Sequence, residues 1–235
     1  MRAIYKREMR AYFTGVIGYV FLVLFLAIGG AIFCLTTLFS MTADVTDYFL
    51  YMMIVSGVML PLLTMKSFSD ERRSKTEQLL LTAPISITGM VLGKFLAALT
   101  MFAGSLTVNT LYFLILYRYA EVRTAVLIGN YVALLLVGTV FIAIGVFVSS
   151  LTENQLSAAV GTMSIILVFL AIGVINELLP SAFWLRYVFN CFSIFTRFQT
   201  FSNGYFDVSS LLYYLSVAAV FVYLTVRVYD RRRYS

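Results

Sequence analysis

The stretch Val132–Val148, VALLLVGTVFIAIGVFV, decides the fold class. It carries no charge, and apolar side chains fall on every side of a helix drawn through it. A strand of a membrane β-barrel would instead alternate in and out over about ten residues. The run is longer and does not alternate, so it reads as an α-helix that is apolar on every side. Outward from it, the uncharged window extends to Thr124–Thr152, and five others match it: Ala11–Ala43, Tyr48–Met65, Phe95–Tyr117, Asn154–Asn176 and Val208–Val226. Each has at least the ~17 residues that a helix needs to cross a hydrocarbon core of about 30 Å.

The rest of the chain agrees. Hydrophobic residues make up 61% of its 235 residues and charged residues 12%, with a mean hydropathy of +0.93. Soluble domains carry about 25% charged residues, so this chain lacks the polar surface to stay in water. The reading is all-α and polytopic: one transmembrane domain, 1–235, with spans near 16–39, 49–67, 90–117, 126–150, 157–177 and 209–228. An even number of spans puts both termini on one side. That side takes thirteen of the seventeen Lys and Arg residues, and Arg118, Arg123, Arg186 and Arg197 fall on the other. The positive-inside rule then predicts cytoplasmic termini. The net charge of +6 reflects orientation and contact with anionic headgroups of the lipid bilayer, not nucleic acid.

Residues 2–13 (RAIYKREMRAYF) precede the first span. The apolar run after them exceeds the about 7–15 residues of a signal-peptide core, which predicts an uncleaved span. At helical spacing Tyr5, Met9, Tyr12 and Phe13 share one face, and Arg2, Lys6 and Arg10 another. With Arg7, they predict an amphipathic helix lying on the inner leaflet. Cys34 and Cys191 stand alone and form neither a disulfide framework nor a metal set.

Soluble chemistry has few footholds. The chain has no histidine, hence no general base poised near neutrality and no histidine-based zinc site. It has no P-loop, no Gly-x-Ser-x-Gly and no paired intramembrane carboxylates. Glu153 and Glu177 fall at span ends, and Lys94 lies within a turn or so of one, where it is expected to snorkel. Work done by this chain therefore needs an outside energy source. No catalytic or metal-binding residues are expected in it.

One segment is expected to dock something. Residues 66–84 read KSFSDERRSKTEQLLLTAP, with six charges of both signs in Asp70–Glu77 and then Leu79, Leu80 and Leu81. Ser67 with Asp70 fits a capping box, and Ser74 with Glu77 a second, predicting a helix as the second span emerges and a short separate helix near 75–82. Pro84 ends it, and Ser86 is placed to cap the third span. A connecting loop needs only about 2–8 residues, so this length and mixed charge predict a docking surface over 68–83. A further tract, 180–207, is crowded with aromatic residues and carries Arg186 and Arg197. Two short helices dipping into or lying on the outer leaflet suit it. Asp207 is expected to cap the last span, Pro61 to kink the second, and Gly104, Ser105, Gly138, Gly145, Gly161 and Gly173 to give small faces for helix contact.

Taken together, the basic Lys6-Arg7-Glu8 helix, six spans, ERRSKTEQLLLTAPIS (71–86), Val91-Leu92-Gly93-Lys94 and FSIFTRFQTFSNGYFD (192–207) resemble the membrane subunits of ABC-2 type ABC transporters. The likeness is to short bacterial permeases of the gliding-motility and nitrous-oxide-maturation type. Where that family commonly has Gly-Thr-Glu, this chain has Lys75-Thr76-Glu77. The resemblance implies a permease of the bacterial inner membrane, an exporter, with two permease chains (identical or related) above two ABC ATPase subunits. Those subunits would hold the ATP and magnesium, and this chain no cofactor. It further implies a coupling helix resting on Glu71, Arg72, Arg73, Lys75, Thr76, Glu77 and Leu79–Leu81. Residues 2–13, with Arg2, Lys6, Arg7 and Arg10, would form a connecting helix. Outer re-entrant helices would carry Phe192, Phe195, Arg197, Phe198 and Phe201. A second reading is a force-transmitting membrane component driven by an ATPase without cargo.

Overall fold

The computed structural model describes residues 1–42, 44–78, 86–119, 123–178, 193–202 and 207–234. They form an all-α bundle. Its elements are α1 (Arg2–Thr14), α2 (Val16–Phe33, prolonged by a π-helical turn Cys34–Leu38), α3 (Thr46–Thr64), α4 (Lys66–Arg73) and α5 (Ile87–Thr110). Then come α6 (Tyr112–Tyr119), α7 (Thr124–Leu151), α8 (Gln155–Leu178), α9 (Ile194–Ser202) and α10 (Val208–Tyr234). Among the described residues, six stretches are long and apolar enough to cross a membrane: Val16–Leu38, Thr46–Arg73, Ile87–Arg118, Thr124–Leu151, Gln155–Gly173 and Val208–Arg233. These are the six spans expected.

Helix α7, which contains the stretch that decided the fold class, is the central post. It packs against α3, α4, α5, α8, α9 and α10, and every residue from Leu136 to Val146 is buried. Two of its glycines make this possible. A Cβ on Gly138 would lie 2.0 Å from the Phe102 ring of α5, and one on Gly145 would lie 2.1 Å from the Thr64 hydroxyl of α3. Gly173 likewise admits Phe195 of α9. Gly104 does not fit this pattern: nothing lies within 4 Å of where its Cβ would be, so it faces open space.

Helix α1 folds back at Gly15, and the bare Gly18 lets α2 start against the Tyr12 carbonyl, 2.1 Å from the place of a Cβ. Its buried residue is Ile4, seated on Gly93 of α5. Met9 and Tyr12 pack against the core, while Arg2, Lys6, Arg7 and Arg10 are exposed. Phe13 is exposed rather than part of the apolar face. Contacts described below tie α1, α4, Lys94 and the end of α10 together, so both chain ends lie at one end of the bundle, its basic end.

Candidate functional site

Helix α4 continues almost directly from α3, with Met65 between them. Ser67 therefore lies inside the helix and cannot act as its cap. The free backbone N–H groups of Phe68 and Ser69 instead donate to the hydroxyl of Ser149 in the last turn of α7, at 3.0 and 3.1 Å, and that hydroxyl donates to the Met65 carbonyl at 3.1 Å. The capping box expected at Ser67 is replaced by a cap supplied from the central helix. Ser74, expected to open a new helix, closes α4: its hydroxyl donates to the Asp70 carbonyl at 2.8 Å. The two other expected caps form, with the Gly89 N–H on Ser86 at 3.3 Å and the Ser209 and Ser210 N–H groups on Asp207 at 3.0 and 3.1 Å. The Ser210 hydroxyl and then these N–H groups hold the Asp207 carboxyl below its ordinary range.

Two ionic networks flank α4. In the first, Lys94 of α5 is 2% exposed, so it does not snorkel. Gly93 admits Ile4, which sets Glu8 one turn along α1 within reach of Lys94. The ammonium lies 3.2 Å from Glu8 and 2.9 Å from Glu71, and it donates to the Ser67 carbonyl. Arg7 bonds to both carboxylates. Two cations thus face two anions, which is the balance a buried charge requires. Burial acts to lower the pKa of Arg7, but Glu8 and Glu71 outweigh it and raise the value. A cavity of about 500 Å³ adjoins the network, lined in part by Arg7, Glu8, Tyr12, Lys66, Asp70 and Lys94. Burial, and then Glu8, push the Tyr12 hydroxyl well above its usual pKa.

The second network grips the end of α7. The last carbonyls of a helix have no partner within it, and two arginines supply one. Arg72 donates to Leu151 at 2.7 Å and pairs with Glu153 at 3.1 Å. Arg232 of α10 donates to Ser150 at 2.8 Å and pairs with Glu77 at 3.1 Å. Asp70 accepts from Gln155 of α8.

The residues predicted for docking thus divide. Glu71, Arg72 and Glu77 are partly buried and turned into the bundle, whereas Arg73, Lys75 and Thr76 are exposed. Lys75 has φ 57°, in the left-handed region. Leu79, Leu80 and Leu81 lie outside the described residues, as does most of the short helix expected near 75–82. Sequence reasoning missed Glu8, Ser149, Gln155 and Arg232. Glu8 had a signal, as the lone acid of a basic helix, and so did Lys94, a lone charge in a long apolar stretch.

At the other end, Ser193 caps α9 through the Thr196 N–H at 3.1 Å. Phe198 and Phe201 are fully buried, and Arg197 stacks on Tyr213 at 4.2 Å. Tyr214 donates to the Ile194 carbonyl at 2.8 Å. Helix α9 is therefore packed into the bundle against α7 and α8. Phe192 and most of 180–207 lie outside the described residues.

An exposed charged turn thus follows α4, and two ionic networks brace that helix onto the spans of the bundle. None of the curated proteins compared with the chain matches it. The sequence profile of the ABC-2 family transporter protein matches residues 2–233, and the chain belongs to that family of transporter membrane proteins.

Proposed function

We propose that this chain is the permease subunit of an ATP-driven exporter, with α4 and the turn after it receiving force from a separate ABC ATPase. The observation that carries this is the split at α4. Arg73, Lys75 and Thr76 face outward, while Glu71 and Glu77 are tied to Lys94 of α5 and Arg232 of α10. One side of the segment is open to a partner, and the other is fastened to the four spans α5, α7, α8 and α10. ATP and magnesium belong to the partner, and closure of its two subunits pushes α4 against the end of α7. On this reading α1 is the connecting helix, since Glu8 and Arg7 join it to Glu71. The basic end faces the cytoplasm of a bacterial inner membrane by the positive-inside rule, a second permease chain completes the path, and α9 belongs to a re-entrant outer segment.

The test is co-purification from membranes with the ATPase, followed by an ATPase assay. Arg73→Glu with Lys75→Glu removes the ATPase from the complex. Glu77→Gln retains it but lowers transport per ATP hydrolysed. An ATPase that binds the charge-reversed variant as well as wild type would sink the reading of this turn as the docking surface.

A further inference from the structure

A groove between α5, α7 and α10 takes no part in either network. It holds about 650 Å³. Its walls are Leu92 and Phe95 of α5 with Leu215, Ala219, Val222 and Val226 of α10. Thr139 of α7 also lines it, but its hydroxyl is spent on the Leu135 carbonyl at 2.8 Å. The remaining polar lining residues, Thr88, Tyr223, Arg227 and Asp230, lie toward the basic end.

Length sorts the candidate occupants. At about 1.5 Å per residue, Leu215 to Arg227 spans about 18 Å of α10, roughly three-fifths of a hydrocarbon core of about 30 Å and well short of its full height. A spanning helix from a second copy would call for a groove of full height. One acyl chain of a single leaflet calls for half. Arg227 stands about 28 Å along α10 from Val208, at the level of the headgroups.

Charge sorts the headgroup. The Arg227 Nε donates to the Tyr223 hydroxyl at 2.6 Å, and its guanidinium lies 5.1 Å from that ring's centroid. This steadies the side chain at the mouth and leaves its terminal nitrogens without a hydrogen bond among the described residues. Asp230 opposes an anion there, but Arg233, exposed and three residues further on the same helix face, adds a second cation just beyond the mouth. The Thr88 side chain, exposed on the first turn of α5, adds a hydroxyl donor.

We propose that this groove binds one anionic phospholipid from the leaflet at the basic end. One acyl chain lies along Leu215–Val226, and the phosphate sits on Arg227 and Thr88. The bound lipid fills the open side of α10.

The experiment is native mass spectrometry of the purified full-length chain titrated with phosphatidylglycerol or phosphatidylcholine of the same acyl chains. Wild type retains one phosphatidylglycerol in preference to phosphatidylcholine. Arg227→Gln loses about tenfold of that preference, the weight of one charge-assisted hydrogen bond, and Arg227→Lys keeps part of it. Ala219→Trp, which fills the groove, loses retention of both lipids. Equal retention of the two lipids by wild type overturns the proposal, and so does a preference that survives in Arg227→Gln. Ala219→Cys tests the other occupant: efficient cross-linking of two copies in membranes through this position shows that a second chain covers the groove, which also overturns it. No ATPase takes part in these measurements, so their outcome is independent of the proposed coupling.

Discussion

Phe68 and Tyr229 pack with their ring centroids 4.7 Å apart and their planes at 36°, and this contact joins the two networks at the basic end. The Lys94 ammonium lies 4.8 Å from the centroid of Phe68, and the Arg232 guanidinium lies 5.3 Å from that of Tyr229. A continuous packed line therefore runs from Glu77 through Arg232, Tyr229 and Phe68 to Lys94, Glu8 and α1. Adjacency alone is not coupling, but it says where coupling energy is to be measured. The variants below probe the parts of this arrangement.

Lys94→Met leaves Glu8 and Glu71 facing each other with Arg7 alone to balance them. Breaking a buried ionic set from one side costs about 3–5 kcal/mol, and the expected result is a marked fall in melting temperature in detergent. The triple variant Lys94→Met, Glu8→Gln, Glu71→Gln removes the unpaired charges and is expected to recover much of the loss. A triple variant no more stable than Lys94→Met would show that the ammonium's contact with the Phe68 ring outweighs its ion pairs with Glu8 and Glu71.

Ser149→Ala removes the acceptor that serves two backbone N–H groups of α4. Leaving a buried donor unmatched costs about 1–3 kcal/mol. The loss is local, so hydrogen exchange is the sensitive measurement. The amides of Phe68 and Ser69 are expected to exchange faster in the variant, while amides in the middle of α7 keep their protection.

The six spans and the class of the bundle could be read from the sequence because charge-free length is itself the physical requirement for crossing a hydrocarbon core. Caps at Ser86 and Asp207 were readable for a similar reason: each side chain bonds to backbone two or three residues on. Ser149 capping α4 was not, because the two are some eighty residues apart and meet only through packing. The same holds for Lys94, whose position near a span end suggested snorkelling until Gly93 and Ile4 brought Glu8 over it. Charges in 70–77 pointed to a docking segment, but the sequence has no sign of which of them face inward. That division follows from where α7 ends, since its carbonyls attract Arg72 and Arg232.

Lys75 has a φ of 57°, in the left-handed region where glycine is the residue with least strain. A side chain in the left-handed region costs about 1–2 kcal/mol relative to glycine, partly offset by the greater freedom of glycine in the unfolded chain. Lys75→Gly is therefore expected to raise stability by up to about 1 kcal/mol and to lose the exposed charge. Lys75→Asn relieves part of the strain with the same loss of charge. If both variants are more stable than wild type yet bind the ATPase less well, the lysine is kept for docking at a cost in backbone strain.

The Asp207 cap gives a pH dependence whose sign follows from its lowered pKa. A carboxyl that is more acidic folded than unfolded contributes stability fully present above its unfolded pKa. That contribution is lost as pH falls through the lower, folded value. Asp207→Ala is therefore expected to lower the melting temperature at neutral pH, with the gap to wild type closing as the solution is acidified below the ordinary carboxylate range. A gap that stays constant across that range would mean that the carboxylate charge contributes nothing.

Gly138 and Gly104 offer a matched comparison between two glycines in spanning helices. At Gly138 a new Cβ would meet the Phe102 ring at 2.0 Å, and Phe102 is itself fully buried with no room to retreat. Overpacking of this kind costs about 1–3 kcal/mol, and Gly138→Ala is expected to destabilise the bundle by that amount. At Gly104 nothing stands within 4 Å, so Gly104→Ala meets no obstacle and gains about 0.5–1 kcal/mol from reduced freedom of the unfolded chain. Opposite signs in thermal unfolding of the two variants are the expected result. Equal losses at both positions would mean that the Gly104 face of α5 is covered in the assembled protein.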